Sequence, residues 1–146
     1  MAEKTVVDAG PLVALLNRGD AHHAWARAEF GSRPPPFYTC EAVLSEAQHL
    51  VLRGHGDPSQ VLELLRRGAL TIGVNVEAET ERLVKLQRAY RDQPMSLADA
   101  CLVRLTELHV HSRIFTTDSH FIVYRRNGRQ IIPLVTPVDL SPRRGS

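Results

Sequence analysis

Short β-branched runs alternate with stretches of helical periodicity along almost the whole chain, and this alternation restricts the fold class more than any other feature. Thr5 to Asp8 (TVVD) reads as a strand closed by Ala9-Gly10-Pro11, with Pro11 placed to open a helix through Leu16. Residues 21–30 (AHHAWARAEF) keep helical spacing through Ala24, Trp25, Ala28 and Phe30 and end at Gly31. Pro34-Pro35-Pro36 then breaks regularity before a short strand, Phe37-Tyr38-Thr39. From Glu41 to Arg53, Val43, Leu44, Ala47, Leu50 and Val51 trace the stripe of an amphipathic helix, stopped by Gly54 and Gly56. Pro58 starts another helix through Arg67, and Gly68 leads into a strand at Leu70 to Ile72. Glu77 to Tyr90 reads as a further helix, with Leu83, Leu86 and Tyr90 inward and Glu81/Lys85 as a favourable pair one turn apart. Ser96-Leu97-Ala98-Asp99 has the form of a capping box, so Ser96 caps a helix running to about His109. Ser112 to Thr116 is a strand, and Gln130 to Leu134 a second one after the Asn127-Gly128 turn signal. This order predicts an α/β fold around a mostly parallel sheet. With no internal repeat or linker composition, residues 1–138 read as one domain and 139–146 as a flexible C-terminal tail. The final Gly145-Ser146 has the form of a cloning remnant.

At 146 residues the chain can build a single core without metal or disulfide staples. No run approaches the roughly 18 apolar residues of a membrane-spanning helix, and MAEKTVVDAG lacks the layout of a secretory signal, so a cytoplasmic protein without membrane contact is expected. Cys40 and Cys101 have no C-x-x-C spacing and read as reduced core thiols. A net charge of +2 neither demands nor excludes nucleic acid. The basic residues are more informative: the only lysines are Lys4 and Lys85, neither following a glycine-rich turn, which removes a P-loop. The rest are arginines, whose planar forks pair phosphate well, and Arg125, Arg126, Arg129, Arg143 and Arg144 crowd the C-terminal quarter.

Parallel sheets place their chemistry at the carboxyl ends of strands, which draws attention to the polar residues that end apolar runs. Asp8 ends TVVD and Asp118 follows RIFTT, so the two carboxylates share one sheet edge if both strands are parallel. Either aspartate alone is explained as a turn residue or helix cap; the pair is less well explained that way. Asp99 lies in a first helical turn, where the macrodipole favours negative charge, but its helix is apolar nearly all round, and a buried carboxylate needs a partner. Glu46 flanks the Val43/Ala47/Leu50 stripe. Four carboxylates without a cysteine cluster or histidine ligand motif suit a hard divalent cation, Mg²⁺ or Mn²⁺, and the companion chemistry is phosphodiester hydrolysis.

The order of these motifs resembles that of the PIN-domain nucleases and, within them, the VapC-like ribonuclease toxins of prokaryotic toxin–antitoxin pairs. VVDAGPLVALL is similar to the family's opening strand with its first metal-binding aspartate, Asp8. TCEAVLSEAQHLV resembles the helix of the second acidic motif, giving Glu46, and DQPMSLADACLV the third, giving Asp99 with Asp92 as an acidic neighbour. FTTDSHFIVYRR resembles the fourth, giving Asp118, with Thr116 or Thr117 as hydroxyl contacts to water or phosphate. The resemblance implies a three-layer α/β/α arrangement, a catalytic acidic pocket for Mg²⁺ or Mn²⁺, frequent homodimers and an RNA substrate. It also implies a small antitoxin protein that blocks the pocket. Glu41 competes with Glu46 for the second motif but lies nearly opposite it on the helix, near the start, where the dipole explains it.

Other chemistries are weakly supported. His22-His23 and His109/His111 lack zinc spacing, whereas His120, two residues past Asp118, is placed to meet phosphate. There is no G-x-S-x-G elbow, Gly54-His55-Gly56 is no dinucleotide loop, and Asp8 lacks the second aspartate of a phosphotransferase. Arg125, Arg126 and Arg129, adjacent in sequence to the fourth motif, are candidate RNA contacts. The alternative to a nuclease is a non-catalytic PIN-like module that binds RNA or protein; retention of all four acidic residues argues against it.

Overall fold

A computed structural model describes residues 2–137; the tail expected at 139–146, and its boundary at 138, lie outside the described residues. The first strand, β1 (Lys4–Val7), is central, and its Thr5, Val6 and Val7 are all buried, as a strand covered on both faces requires. The chain then runs through α1 (Ala9–Leu16), α2 (His23–Ser32), β2 (Phe37–Thr39), α3 (Glu41–Arg53), α4 (Ser59–Arg66), β3 (Leu70–Ile72), α5 (Thr80–Ala89), α6 (Leu97–Leu108) and β4 (Ser112–Phe115). After a 3-10 turn at Ser119–Ile122 come β5 (Arg125–Arg126), β6 (Gln130–Ile131) and β7 (Leu134–Val135). The five-stranded sheet has the order β3-β2-β1-β4-β7, and every pairing in it is parallel. With helices packed against it, the architecture is a three-layer α/β/α sandwich.

Strand order determines where a site can form. The chain works outward from β1 through β2 to β3, then returns to the other side of β1 for β4 and β7, so the order reverses between β1 and β4. At such a switch point the connections leave in opposite directions and open a crevice at the carboxyl ends of the two strands. The register Val7↔Phe115 brings those ends level.

Aromatic residues of the core pack around the end of β4. Trp25 and Phe30 of α2 stack on Phe115 of β4 with ring centroids 5.0 and 4.9 Å away, and Phe30 meets Phe37 of β2 at 4.7 Å. On α6, Ala98, Ala100, Cys101, Leu102, Val103, Leu105 and Thr106 are all buried, as its apolar circumference anticipates. Fully burying each large residue contributes roughly 1.5–3 kcal/mol.

Several element ends differ from the sequence expectation. Asp8 rather than Pro11 opens α1, and Pro11 is tolerated in the first turn because its missing N–H has no helical partner there. Helix α2 runs past Gly31 to Ser32, and Arg33 turns extended (φ −117°, ψ 143°), as a residue before proline must. Helix α5 begins at Thr80 rather than Glu77, because Asn75 Oδ1 accepts from Ala78 N (3.0 Å) and closes a separate turn. The single strand expected at 130–134 is divided: β6 pairs antiparallel with β5, and β7 joins the main sheet. Pro133 lies between them with no N–H to donate; its carbonyl accepts from Ile114 N at 3.0 Å. Asn127 and Gly128 both adopt positive φ (52° and 81°), the conformation a tight hairpin turn demands.

Candidate metal-binding active site

Asp8 is the first residue beyond β1. Its Oδ1 accepts from Ala9 N (2.8 Å), capping α1, and its Oδ2 accepts from the Thr116 hydroxyl (2.8 Å) across the switch point. The same Thr116 oxygen accepts from Asp118 N (2.9 Å), so one buried hydroxyl ties together the residues that follow the two central strands. Asp118 caps the 3-10 turn: its Oδ1 accepts from His120 N (2.9 Å) and lies 3.1 Å from His120 Nδ1. Asp99 sits in the first turn of α6. The expected capping box is made in one direction, with Ser96 Oγ accepting from Asp99 N (3.0 Å), while the Asp99 carboxylate turns to the Tyr124 hydroxyl, which donates to Oδ2 at 3.0 Å. Tyr124 is buried and held edge-on by Tyr90 and Phe121 at 5.1 and 5.4 Å. Sequence reasoning missed Tyr124; the available signal was a tyrosine among apolar residues, whose buried hydroxyl requires a partner.

The electrostatics show that these carboxylates form one group. Asp8 is only 6% exposed, and burial pushes its carboxyl up to about 7 against the two hydrogen bonds, with Glu46 and Asp99 raising it further. Glu46, on α3, is likewise held above the ordinary carboxylate range, by burial first and then by Asp99 and Asp118. Ligand atoms of Asp99, Asp118 and His120 lie within 4.8 Å of one another. Among the described residues no arginine or lysine pairs with any of the four carboxylates. The donor set therefore fits a hard divalent cation, which would relieve both the burial penalty on Asp8 and the mutual repulsion. Asp8, Asp99 and Asp118 would hold it, with Glu46 beside them.

The remaining candidates divide. Glu41 lines an open groove of about 970 Å³ with Ile72, Gly73, Val74 and Leu97. Asp92 is exposed in the loop before α6. Thr116 holds the Asp8 carboxylate and the Asp118 backbone through its hydroxyl, whereas Thr117 packs so closely on α1 that a Cβ at Gly10 would overlap its Oγ1. Arg125 Nη1 donates to the carbonyls of Ile122, Val123 and Tyr124, and Arg126 Nη1 to that of Val110. Asn127 N donates to Glu107 at the far end of α6, eight residues or about 12 Å along the axis from Asp99. The hairpin thus carries Arg126 and the exposed Arg129 away from the carboxylates. Cys40 and Cys101 are free thiols buried against each other, and their mutual hydrogen bond and burial hold the Cys40 thiol above its usual range.

Comparison with known proteins agrees with the arrangement of the strands. No curated protein sequence matches the chain. Its fold is similar to the crystal structure of Mycobacterium tuberculosis VapC20, a toxin described as cleaving the sarcin–ricin loop. The TM-score is 0.71 at 22% sequence identity, covering 89% of this chain and 100% of that one. The PIN domain model matches residues 5–127, a span that contains all four carboxylates, β4 and all of β1 but its first residue. By that match the chain belongs to the PIN domain family.

Proposed function

We propose that this protein is a divalent-metal-dependent endoribonuclease that hydrolyses RNA phosphodiester bonds and acts as the toxin of a toxin–antitoxin pair. The observation that carries the reading is the convergence of Asp8, Glu46, Asp99 and Asp118, from four separate segments, at the switch point without a pairing arginine or lysine among the described residues. Charge crowded in this way is costly to a fold and useful to a cation site. Mg²⁺ or Mn²⁺ bound there would polarise the phosphate and make water more acidic.

The chain's own residues supply the rest. Tyr124 and Thr116 each donate a hydrogen bond to a site carboxylate, fixing Asp99 and Asp8 before substrate arrives. Glu46, exposed at the rim near Asp99 and Asp118, would orient the attacking water or a second ion. The similarity to VapC20, described as cleaving the sarcin–ricin loop, supports RNA as the substrate class and a small antitoxin as partner; a homodimer and cytoplasmic residence belong to the same proposal. Of the three candidate RNA-contacting arginines, Arg129 is the exposed one, and its position on the hairpin suits a phosphate remote from the cleaved bond.

The test is cleavage of a mixed RNA pool by purified protein in Mn²⁺, Mg²⁺ or EDTA, beside Asp8→Asn purified identically. Cutting that requires the ion and is lost in the variant supports the proposal. RNA retained equally with and without metal, and uncut, would favour the non-catalytic module instead.

A further inference from the structure

The four acidic motifs offer only oxygen donors, yet a nitrogen stands among them. The His120 ring belongs to the 3-10 turn, which is anchored by Asp118 Oδ1 accepting from His120 N (2.9 Å) and by the buried ring of Phe121. The imidazole itself is 65% exposed, its Nδ1 lies 3.1 Å from Asp118 Oδ1, and ligand atoms of His120, Asp118 and Asp99 all lie within 4.8 Å of one another. We propose that His120 ligates the site's divalent ion together with Asp99 and Asp118, making this a mixed nitrogen–oxygen centre that prefers Mn²⁺ to Mg²⁺. The inference rests on the metal-dependent reading above and deepens it by assigning a ligand and a metal preference.

Two physical arguments support it. With metal–ligand bonds of about 2.1–2.2 Å, neighbouring donors at right angles stand about 3.0–3.1 Å apart, which is the spacing found between the imidazole nitrogen and the Asp118 oxygen. The donor chemistry points the same way. Mg²⁺ keeps its waters and takes oxygen ligands; Mn²⁺ also favours oxygen but, at the weak end of the first-row transition series, accepts a nitrogen donor more readily than Mg²⁺ does, so exchanging one oxygen for a nitrogen favours Mn²⁺ relative to Mg²⁺. Because the ring is largely exposed, replacing it leaves the core intact.

The experiment is electron paramagnetic resonance of Mn²⁺ added to the full-length protein at pH 7.5, with spin-echo envelope modulation to detect directly coordinated ¹⁴N. Mn²⁺ and Mg²⁺ affinities are measured in parallel for wild type and His120→Gln. The expected result is ¹⁴N modulation in wild type that disappears in His120→Gln. Mn²⁺ affinity should fall by about tenfold or more, while Mg²⁺ affinity falls by less. Bound Mn²⁺ without ¹⁴N modulation, or equal losses for the two ions, would overturn the inference, reduce His120 to an ion-pair partner of Asp118 and leave the nuclease reading standing. If wild type binds no Mn²⁺ at all, the metal-dependent reading fails and takes this one with it.

Discussion

Asp8→Asn should stabilise the metal-free protein, and do so more strongly as pH rises. Burial lifts the Asp8 carboxyl from 3.8 to about 7. A raised carboxyl lets the folded protein bind a proton that the unfolded chain has released, so the penalty is absent below about pH 4 and grows until pH passes about 7. At ~1.36 kcal/mol per tenfold change in proton affinity, holding Asp8 ionised in the fold at pH 8 costs about 4 kcal/mol. Asparagine removes that cost. Its carbonyl can still accept from Ala9 N, but its amide meets the Thr116 hydroxyl as a donor, forcing that proton to a new acceptor at a cost of about 1 kcal/mol. The net gain at pH 8 is about 3 kcal/mol, on the order of 10 °C in Tm for a chain of this length, shrinking toward zero or reversing near pH 4. Urea and thermal unfolding in EDTA from pH 4 to 8 read it directly. Saturating Mn²⁺ should raise wild type, by about 2.7 kcal/mol at a hundredfold excess over Kd, and leave the variant nearly unmoved. A variant that is less stable at pH 8, with a difference that does not change with pH, would refute the reasoning.

Three further outcomes follow from particular contacts. Tyr124→Phe keeps the rings packed on Tyr90 and Phe121 but removes the donor to Asp99, so stability should fall by about 1 kcal/mol while RNA cleavage slows; wild-type kcat/KM would deny the hydroxyl a positioning role. Glu107→Gln unpairs Arg82 and Arg104, which hold that 1%-exposed carboxylate at 2.6 and 3.2 Å. The urea midpoint should drop by the equivalent of about 2–3 kcal/mol, with cleavage retained below the melting range because the network lies at the other end of α6 from Asp99. Gly10→Ala, which helix propensity alone would make stabilising by about 1 kcal/mol, should instead destabilise by about 1–3 kcal/mol through overlap with Thr117; adding Thr117→Ala should recover most of the loss in the same melts.

The match between sequence reading and structure is best where local signals act alone. Helix α3 and strands β2 and β3 have the expected bounds because prolines, glycines and an uninterrupted apolar stripe mark their ends. The shared edge of Asp8 and Asp118 was legible too, since parallel pairing of β1 with β4 follows from the alternation of strands and helices. What could not be read locally depends on distant partners. Thr116 bridges Asp8 and Asp118, and the aromatic packing that aims Tyr124 at Asp99 involves Tyr90, far away in sequence. Adjacency in sequence does not fix where the arginines go: Arg126 follows the fourth motif closely, and the β5–β6 hairpin takes it to Val110 and the far end of α6.

On the function proposed above, these carboxylates hold a cation for RNA cleavage. The most direct measurement is the initial cleavage rate of one RNA by wild type and Asp99→Asn across a Mn²⁺ titration, with melting curves recorded on the same preparations. The expected result is no cutting in EDTA, a wild-type rate that saturates with ion, and a loss on the order of a thousandfold in the folded variant, as removal of several kcal/mol of charge stabilisation implies. Cleavage by Asp99→Asn at the wild-type rate, or cleavage undiminished by EDTA, would contradict it.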